Sequence, residues 1–343
     1  MRRARIRKVQ AIVGAVSVCT GLLVGGCAES DSAGGARKTV LKLGHTHAIS
    51  EFSALHGMAV KLKELLDSSD AVDLKVFPAS QLGNDRDMIE GMRLGTQDMC
   101  LSGTAVYANF YEPIGILDLP YLWEGYDHVH EVLDGEVGDS LRAGIDKLGI
   151  RILAFLDSYG FRNVATVKPI EADGAISPDD LDGLKLRTIE SPVFVGAVRL
   201  MGANPTPMAM GEIYTALQTH VIDGFEHDAP TIWAGKYYDV VKNIYKTKHI
   251  FSVTCLAVST KKWDKLGDKA KADLTEAVKE AQQWHRTEAA RRDMAVMDSL
   301  STVGKCTIFD KIDRARFVEA TTDFQDEYAG KVGATSLLKK IRR

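Results

Sequence analysis

Hydrophobic and polar positions follow two recurring patterns along the first part of this chain: short apolar runs and amphipathic helical stretches. Apolar runs at 40–43, 72–77 and 99–101 predict three strands. Between them lie helical patterns that begin at Ser50 and at Asn84, both good helix caps. Strands that alternate with helices in this way predict a largely parallel α/β sheet.

A second set of alternating elements contains the best-defined unit of the chain. Ser177 starts a short helical turn that Gly183 ends, and the following half-buried strand ends at Arg187. Ser191 then starts a helix that Gly202 stops. Ligands bind outside the carboxyl ends of strands in open α/β sheets. A guanidinium there, beside free helix N–H groups, suits the capture of a carboxylate better than catalysis.

Residues 270–299 contain neither Gly nor Pro and carry apolar residues at helical spacing, such as Leu274, Val278 and Ala281. A helix of this length is ~45 Å long at 1.5 Å per residue, enough to cross two domains. The simpler interpretation is a surface helix on one domain. The apolar run 253–258 reads as a strand that returns to the first domain.

Composition excludes some function classes. The chain is long enough for two ordinary domains, and its net charge of -3, with both signs mixed, indicates neither nucleic-acid nor acidic-membrane binding. We find no Gly-x-Ser-x-Gly, phosphate-loop or His-Glu-x-x-His motif. Three histidines, at 45, 47 and 56, raise the question of metal, but no carboxylate or cysteine joins them at a recognised spacing. We therefore predict neither a metal nor a cofactor.

The N-terminus reads as a targeting segment. A basic stretch precedes an apolar run at 11–24, which is too short for a convincing membrane span. The run ends at Val24-Gly-Gly-Cys27, which looks like a bacterial lipobox. We predict a lipoprotein signal peptide at 1–26, lipidation of Cys27, and a tether at 27–38. The alternative is an ordinary signal peptide with an incidental cysteine.

Three further cysteines, Cys100, Cys255 and Cys306, remain in the predicted mature chain. An odd count allows at most one intramolecular disulfide. Cys100 and Cys255 lie in apolar, strand-like runs, so buried free thiols are the default expectation.

Four motifs occur in order around Arg187. They are the strand Leu181-Asp-Gly-Leu-Lys-Leu-Arg187, the turn Gly202-Ala-Asn-Pro-Thr-Pro-Met208, the helix Glu212-Ile-Tyr-Thr-Ala-Leu-Gln218, and the loop Ile222-Asp-Gly-Phe-Glu226. Each motif alone is weak, but together they closely resemble the solute-binding proteins of TRAP transporters, the DctP family. The similarity extends over roughly residues 39–330.

The resemblance implies an α/β, two-lobed fold of the periplasmic-binding-protein type, with a hinge and a long helix that bridges both lobes. We expect lobe I to comprise 39–160 and 250–285, and lobe II to comprise 161–249 and 286–330. Residues 331–343 would form a C-terminal tail. Chain crossings near residues 160 and 250 would then act as hinges, with the ligand cleft between the lobes.

The resemblance also names ligand residues. Arg187 is the leading candidate, and Arg162 matches a second arginine often found in the cleft of the family. The other candidates are Asp85, Glu190, Met210, His227, Asp228, His45 and His47. As site residues, His227 and Asp228 would form a hydrogen-bonded pair that faces the cleft, and His45 and His47 would do the same. A structural role is the alternative for each candidate; Asp85, for example, stands at a helix N-terminus, where a carboxylate is favourable anyway.

Departures from the family pattern reduce the number of ligand classes that the sequence allows. Relatives that bind sialic acid have an aromatic residue at the position of Met210, Asn at that of His227, and an acidic residue near Gly103. These differences argue against sialic acid. The sequence does not choose between a sugar acid or another hydroxy acid and a dicarboxylate, a keto acid or an aromatic acid.

We therefore expect a monomeric, lipid-anchored extracytoplasmic receptor that is not an enzyme. It would bind a small carboxylate and deliver it to the small and large TRAP membrane subunits. Two alternatives remain: a ligand-binding subunit of a sensory system, which would have the same cleft, and an extracytoplasmic enzyme acting on organic acids.

Overall fold

The computed structural model describes residues 38–343, which form two α/β lobes, each built around its own sheet. The predicted signal peptide and Cys27 lie outside the described residues, as does the predicted tether up to residue 37. The strands in chain order are β1 (Thr39–His45), β2 (Val72–Phe77), β3 (Met99–Gly103), β4 (Ile150–Phe161), β5 (Asn163–Thr166), β6 (Lys185–Thr188), β7 (Asn204–Pro207), β8 (Gly224–His227), β9 (Asn243–Tyr245), β10 (Phe251–Ser259) and β11 (Thr307–Phe309).

The helices surround both sheets. In chain order they are α1 (Ala54–Leu66), α2 (Asp85–Leu94), α3 (Thr104–Tyr107), α4 (Tyr126–Asp134), α5 (Glu136–Asp146), α6 (Pro192–Leu200), α7 (Ile213–Gln218), α8 (Ala229–Ala234), α9 (Thr260–Trp263), α10 (Asp268–Thr302), α11 (Arg314–Lys331) and α12 (Thr335–Ile341). Short 3-10 helices occur at Glu112–Asp118, Pro178–Leu181, Met210–Glu212 and Tyr237–Asp239.

Each sheet combines parallel and antiparallel pairs. The strand order in lobe I is β2-β1-β3-β10-β4, with β1 parallel to β2 and β3, and with β10 antiparallel to both of its neighbours. The order in lobe II is β11-β9-β5-β8-β6-β7, with β6 parallel to β7 and β8. This arrangement confirms the predicted α/β class and its strands at 40–43, 72–77, 99–101 and 253–258. The prediction of a largely parallel sheet is wrong, because the returning strand β10 pairs antiparallel with both β3 and β4.

Two of the places where the chain crosses between the lobes lie next to each other. The long strand β4 continues almost directly into β5, with Arg162 between them, and the chain returns from β9 to β10 through residues 246–250. The crossings are hydrogen bonded to each other, because Arg162 N donates to Ile250 O at 2.8 Å and His249 N donates to Arg162 O at 3.2 Å. Arg162 therefore lies at the crossing itself.

The helix predicted at 270–299 is α10, which has 35 residues. Its N-terminal half buries Leu274 and Val278 in the apolar core of lobe I, together with residues of α1 and β1. Its C-terminal half buries Val296 and Leu300 in the core of lobe II. One helix thus contributes to both cores, which confirms the predicted bridging helix.

Helix boundaries agree with the cap signals in most places. Asn84 caps α2 with a reciprocal capping box, and Gly95 ends that helix in the left-handed conformation at φ 83°. The prediction that Ser50 caps the first helix is wrong. Ser53 is the cap, because its side chain accepts the hydrogen bond from His56 N, while Ser50 forms the preceding turn.

The limits drawn for the lobes from the sequence stay predictions. In the structure β4 runs to Phe161, and α10 continues without interruption through residues 285 and 286. Residues 331–343 include α12, whose Leu338 and Ile341 are buried in the core of lobe I. Within residues 38–343, no helix is long and apolar enough to cross a membrane.

Candidate functional site

Residues from both lobes line a cavity of about 100 Å³. It lies where parallel strands end: Thr46 and His47 follow β1, and Arg187 and His227 belong to the last residues of β6 and β8. These carboxyl ends are the expected position of a ligand in such sheets. Of the sequence-predicted site residues, the ones that line the cavity are Arg187, Arg162, His227, Asp85, Glu190, His47 and Met210.

Arg187 is buried, and its guanidinium is only partly satisfied by protein groups. Nε and Nη2 both donate to the backbone oxygen of Met208, at 3.1 Å and 2.7 Å. Nη1 is buried and has no hydrogen-bond partner among residues 38–343. Burial lowers the pKa of Arg187 to about 10, so the group stays charged at neutral pH. An unpaired N–H of a buried cation is costly unless a ligand completes it.

Arg162 also lines the cavity, but most of its donors are used by the protein. Nε and Nη2 bind the carboxylate of Glu226, Nη2 also donates to Glu226 O, and Nη1 donates to Ser252 Oγ at 3.1 Å. Four of its five N–H groups are therefore occupied, and one on Nη1 is left. Its charge is matched by Glu226, so Arg162 differs from Arg187 in having an internal counter-ion.

Glu226 is a residue to which the sequence reasoning assigned no role, although the last motif ends on it. Its carboxylate is fully buried and also accepts from Thr188 Oγ1 at 3.0 Å and lies 3.4 Å from His249 Nε2. Burial alone would raise the pKa of Glu226, but Arg162 and His249 hold it well below its usual range. Glu226 lies within β8, all four residues of which are buried. Because charged residues are almost never fully buried unless they are paired, its position indicated a buried cation as its partner.

His227 and Asp228 form the predicted pair, but only His227 reaches the cavity. His227 Nδ1 lies 2.7 Å from Asp228 Oδ2, and Asp228 also caps α8 by accepting from Thr231 N at 2.8 Å. Burial lowers the pKa of His227, so its ring is neutral at pH 7. Asp228 N also donates to Nδ1 at 3.0 Å, so the two contacts of Nδ1 favour opposite tautomers. In either tautomer Nε2 can form a hydrogen bond with a hydroxyl, as acceptor or as donor.

Of the two histidines at the end of β1, again only one reaches the cavity. His47 lines the cavity, whereas His45 is buried outside it, with Nε2 at 3.3 Å from His56 Nδ1. Burial lowers the pKa of His45 to about 3 and that of His47 to about 4. In the part of the chain that the structure describes, no group of three or more His, Cys, Asp or Glu residues suits a metal ion.

Acidic residues from both lobes line the cavity. Asp85, at the start of α2, accepts from Thr46 Oγ1 at 3.1 Å, and its burial raises its pKa although Arg187 acts in the opposite direction. Glu190 belongs to lobe II, and its backbone oxygen accepts from Asn109 Nδ2 of lobe I at 2.7 Å. This bond links the two lobes beside the cavity.

Further lining residues were missed by the sequence reasoning. They include Asp118, Ser158, Phe194, Ser252 and Thr254. The Phe194 ring lies under the guanidinium of Arg162, with 5.1 Å between the guanidinium carbon and the ring centre. These residues come from the 3-10 helix at Glu112–Asp118, from α6 and from β4 and β10, so only the tertiary fold brings them together.

Comparison with known proteins gives one consistent result. Residues 44–331 match the family model DctP, described as bacterial extracellular solute-binding protein, family 7. The chain is 35% identical over 274 residues to the 2,3-diketo-L-gulonate-binding periplasmic protein YiaO of Escherichia coli (strain K12), covering 79% of this chain and 81% of that protein. It is 29% identical over 341 residues to the C4-dicarboxylate-binding periplasmic protein DctP of Rhodobacter capsulatus, covering 96% of each.

Solved structures agree with these sequence relatives. A TRAP periplasmic solute binding protein from Polaromonas sp. JS666, bound to D-erythronate, superposes with a TM-score of 0.82 at 29% identity, over 89% of this chain and 98% of that chain. Another, from Haemophilus influenzae RdAW with bound L-gulonate, has a TM-score of 0.82 at 28% identity, over 89% and 99% of the chains.

Proposed function

The chain belongs to family 7 of the bacterial extracellular solute-binding proteins (DctP), and from this membership we propose that it is the receptor of a TRAP transporter for a sugar acid. It would bind the acid in the cleft between its lobes and deliver it to the small and large membrane subunits. The observation that carries this proposal is the buried, charged Arg187, whose Nη1 has no protein partner within residues 38–343 and which lines the cavity.

The lining of the cleft favours one carboxylate and several hydroxyls in the ligand. Arg187 is the buried lining cation without a carboxylate partner among the described residues, since Arg162 is paired with Glu226 and Arg86 lies exposed at the rim. The rest of the lining offers neutral imidazoles, hydroxyls and the carboxylate of Asp85, all of which suit hydroxyl groups. A dicarboxylate would place its second charge near Asp85 and Glu190, which is the less favourable arrangement.

Each predicted site residue has a role in this proposal. Arg187 pairs with the carboxylate of the acid, and Arg162 adds its remaining N–H. Asp85 and His227 bind hydroxyls, Asp228 positions His227, and His45 supports the loop that carries His47. Glu190 and Met210 form the rim of the cleft. A sugar acid is also what the relatives from Polaromonas and Haemophilus hold in their structures.

Binding of a panel of acids tests the proposal. We would measure the thermal midpoint and the heat of binding of the purified protein with D-erythronate, L-gulonate, D-glucuronate and D-galacturonate, together with succinate and the neutral lactone of L-gulonate. We expect at least one sugar acid to raise the midpoint, while succinate binds more weakly and the lactone does not bind. A protein that binds succinate and no sugar acid would show that the ligand class is wrong.

The arginine assignment has its own test. Arg187→Met should lower the affinity for the bound acid at least about 30-fold, because a buried carboxylate loses its charge-assisted partner. Arg199→Met is the matched control, since Arg199 lies exposed on α6 of the same lobe and does not line the cavity. Equal affinities in the two variants would remove Arg187 from the site.

Family membership places the protein outside the cytoplasm, and we further propose that it is a monomer held at a membrane by a lipid on Cys27. The basis is the sequence pattern at 24–27 after an apolar run. Metabolic labelling with a fatty-acid analogue should mark the wild-type protein, and Cys27→Ser should abolish the label. The control is Cys100→Ser, which should keep the label. A label that persists in Cys27→Ser would rule out the anchor.

A further inference from the structure

Asp118 is a buried acidic residue with an incomplete set of partners at the inner wall of the cleft. It ends the 3-10 helix at Glu112–Asp118 and is the charged member of an otherwise apolar run, 114–119. It is 1% exposed, and it lines the cavity beside Arg162 and Ser252. Neighbouring apolar residues of the run belong to the core of lobe I, so Asp118 is fixed to that lobe.

Its two carboxyl oxygens have different surroundings. Oδ1 lies 2.9 Å from Thr104 Oγ1, which is also 3.1 Å from the backbone oxygen of Val253. Oδ2 is buried and has no hydrogen-bond partner within the described range 38–343. A buried polar atom without a partner costs free energy that a bound molecule recovers when it completes the bond.

The surroundings of the carboxyl group favour its neutral form. Burial raises the pKa of Asp118 to about 8, and Glu226 acts in the same direction, while the bond from Thr104 and the charge of Arg162 oppose the rise. The titratable and charged groups that face it from the elements around it are Arg162, Glu226, Cys255 and Tyr328. Arg162 is already paired with Glu226, so it does not serve Asp118 as a counter-ion.

We propose that Asp118 determines specificity by hydrogen bonding a hydroxyl group of the bound acid from the lobe I wall of the cleft. This inference rests on the proposed function, in which Arg187 of lobe II holds the carboxylate of the same ligand. A neutral carboxylic acid both donates and accepts, as a hydroxyl does, and it does not repel an anionic ligand. One ligand then joins a fixed group of each lobe, and an acid that lacks the contacted hydroxyl loses the lobe I contact.

Affinity measurements on three variants test this role. The probe is D-erythronate or L-gulonate, whichever the wild-type protein binds more tightly, together with its monodeoxy analogues. Asp118→Ala should lose roughly tenfold in affinity for the parent acid, the upper range for one neutral hydrogen bond. Asp118→Asn keeps a donor and an acceptor and should stay within about threefold of wild type. The matched control is Asp157→Asn, since Asp157 is buried in β4, bonded to His130, and does not line the cavity.

The deoxy analogues separate contact from a general effect on the fold. The wild-type protein should discriminate roughly tenfold against one monodeoxy analogue, and Asp118→Ala should not discriminate between that analogue and the parent acid. Discrimination that is equal in both proteins would overturn the inference. A wild-type protein that binds no acid of the panel would instead overturn the proposed function.

If Asp118→Ala does not fold, the dependence of ligand affinity on pH provides a second test of the role of Asp118. Ionisation of Asp118 near pH 8 places a negative charge beside an anionic ligand, so wild-type affinity should fall as pH rises from 7 to 9. Asp118→Asn should show no such fall. Identical profiles in the two proteins would contradict the inference.

Discussion

Glu226 supplies the counter-charge for Arg162, the residue at the crossing between the lobes. It neutralises Arg162 in a pair whose two side chains are 2% and 0% exposed. We predict that Glu226→Gln lowers the free energy of unfolding by roughly 3–5 kcal/mol, because it leaves a buried guanidinium without its counter-charge. Denaturant titration monitored by circular dichroism measures this loss.

Glu136→Gln is the matched control for that substitution. Glu136 pairs with Lys340, but its side chain is 76% exposed, so solvent screens the pair. We expect a change of less than about 1 kcal/mol. If the two variants lose the same stability, burial does not account for the effect.

At the residue scale, the sequence predicted side chains that stand at the end of a strand or helix. It predicted less well which other side chains they contact in the fold. Arg187 was predicted because it stands at the end of a strand and before a helix start within the family motif; without that motif a surface or ion-pair arginine was the favoured interpretation. The partners of Arg162 could not be predicted, since Glu226 lies 64 residues away and meets it only through the pairing of β5 with β8. Asp118 was missed for the same reason, because its neighbours Thr104 and Arg162 come from different elements.

At the element scale, glycine has its clearest role in β4, where this strand approaches the crossing. Gly160 has φ 83°, and a Cβ on it would overlap the hydroxyl of Tyr126. We predict that Gly160→Ala costs about 1–2 kcal/mol for the left-handed backbone and about 1–3 kcal/mol more for the overlap. Thermal and denaturant unfolding measure the total.

Two variants separate these contributions. Gly183 has φ 79° and open space around its Cβ position, so Gly183→Ala should show the backbone cost alone. Tyr126 Oη is buried and lacks a hydrogen-bond partner among residues 38–343, so Tyr126→Phe removes the overlap without breaking a described bond. The double variant of Gly160→Ala and Tyr126→Phe should recover most of the difference between the two glycine sites. No recovery would show that Tyr126 is not the obstacle.

Elements with strong local signals were predicted well, and those set by tertiary packing were not. Asn84, Gly95 and Gly202 mark ends that the structure confirms, because capping chemistry is local. Ser50 has the same chemistry as Ser53, and the choice between them is made by the turn that leads from β1 into α1. Local sequence does not contain that information.

At the scale of the whole molecule, α10 and α11 each contribute to the cores of both lobes, and two hydrogen-bonded crossings join the lobes. Many ionisable side chains are buried in this molecule. Burial lowers the pKa of six histidines: His45, His47, His56, His227, His249 and His285. In the unfolded chain these rings bind protons near pH 6.5. Burial also raises the pKa of three carboxyl groups, Asp85, Asp118 and Asp293, which has the opposite effect on stability.

The histidines outnumber these carboxyl groups, and the resulting dependence on pH can be measured. Below pH 6.5 the unfolded chain binds protons that the folded chain excludes, so the free energy of unfolding should fall as pH decreases from about 6.5 to 4. Each fully excluded proton contributes a slope of about 1.4 kcal/mol per pH unit. Denaturant titrations at pH 7, 6 and 5 measure this slope in the absence of any ligand.

Histidine variants assign the slope to burial. His285 is buried in α10, with Nε2 at 2.5 Å from the backbone oxygen of Asp157, whereas His220 is exposed after α7. His285→Gln should remove the contribution of one excluded proton, which lowers the slope by at most about 1.4 kcal/mol per pH unit. His220→Gln should leave the slope unchanged. A slope that is flat in the wild-type protein would mean that the buried carboxyl groups balance the histidines. A slope that changes equally in both variants would mean that burial of His285 is not its source.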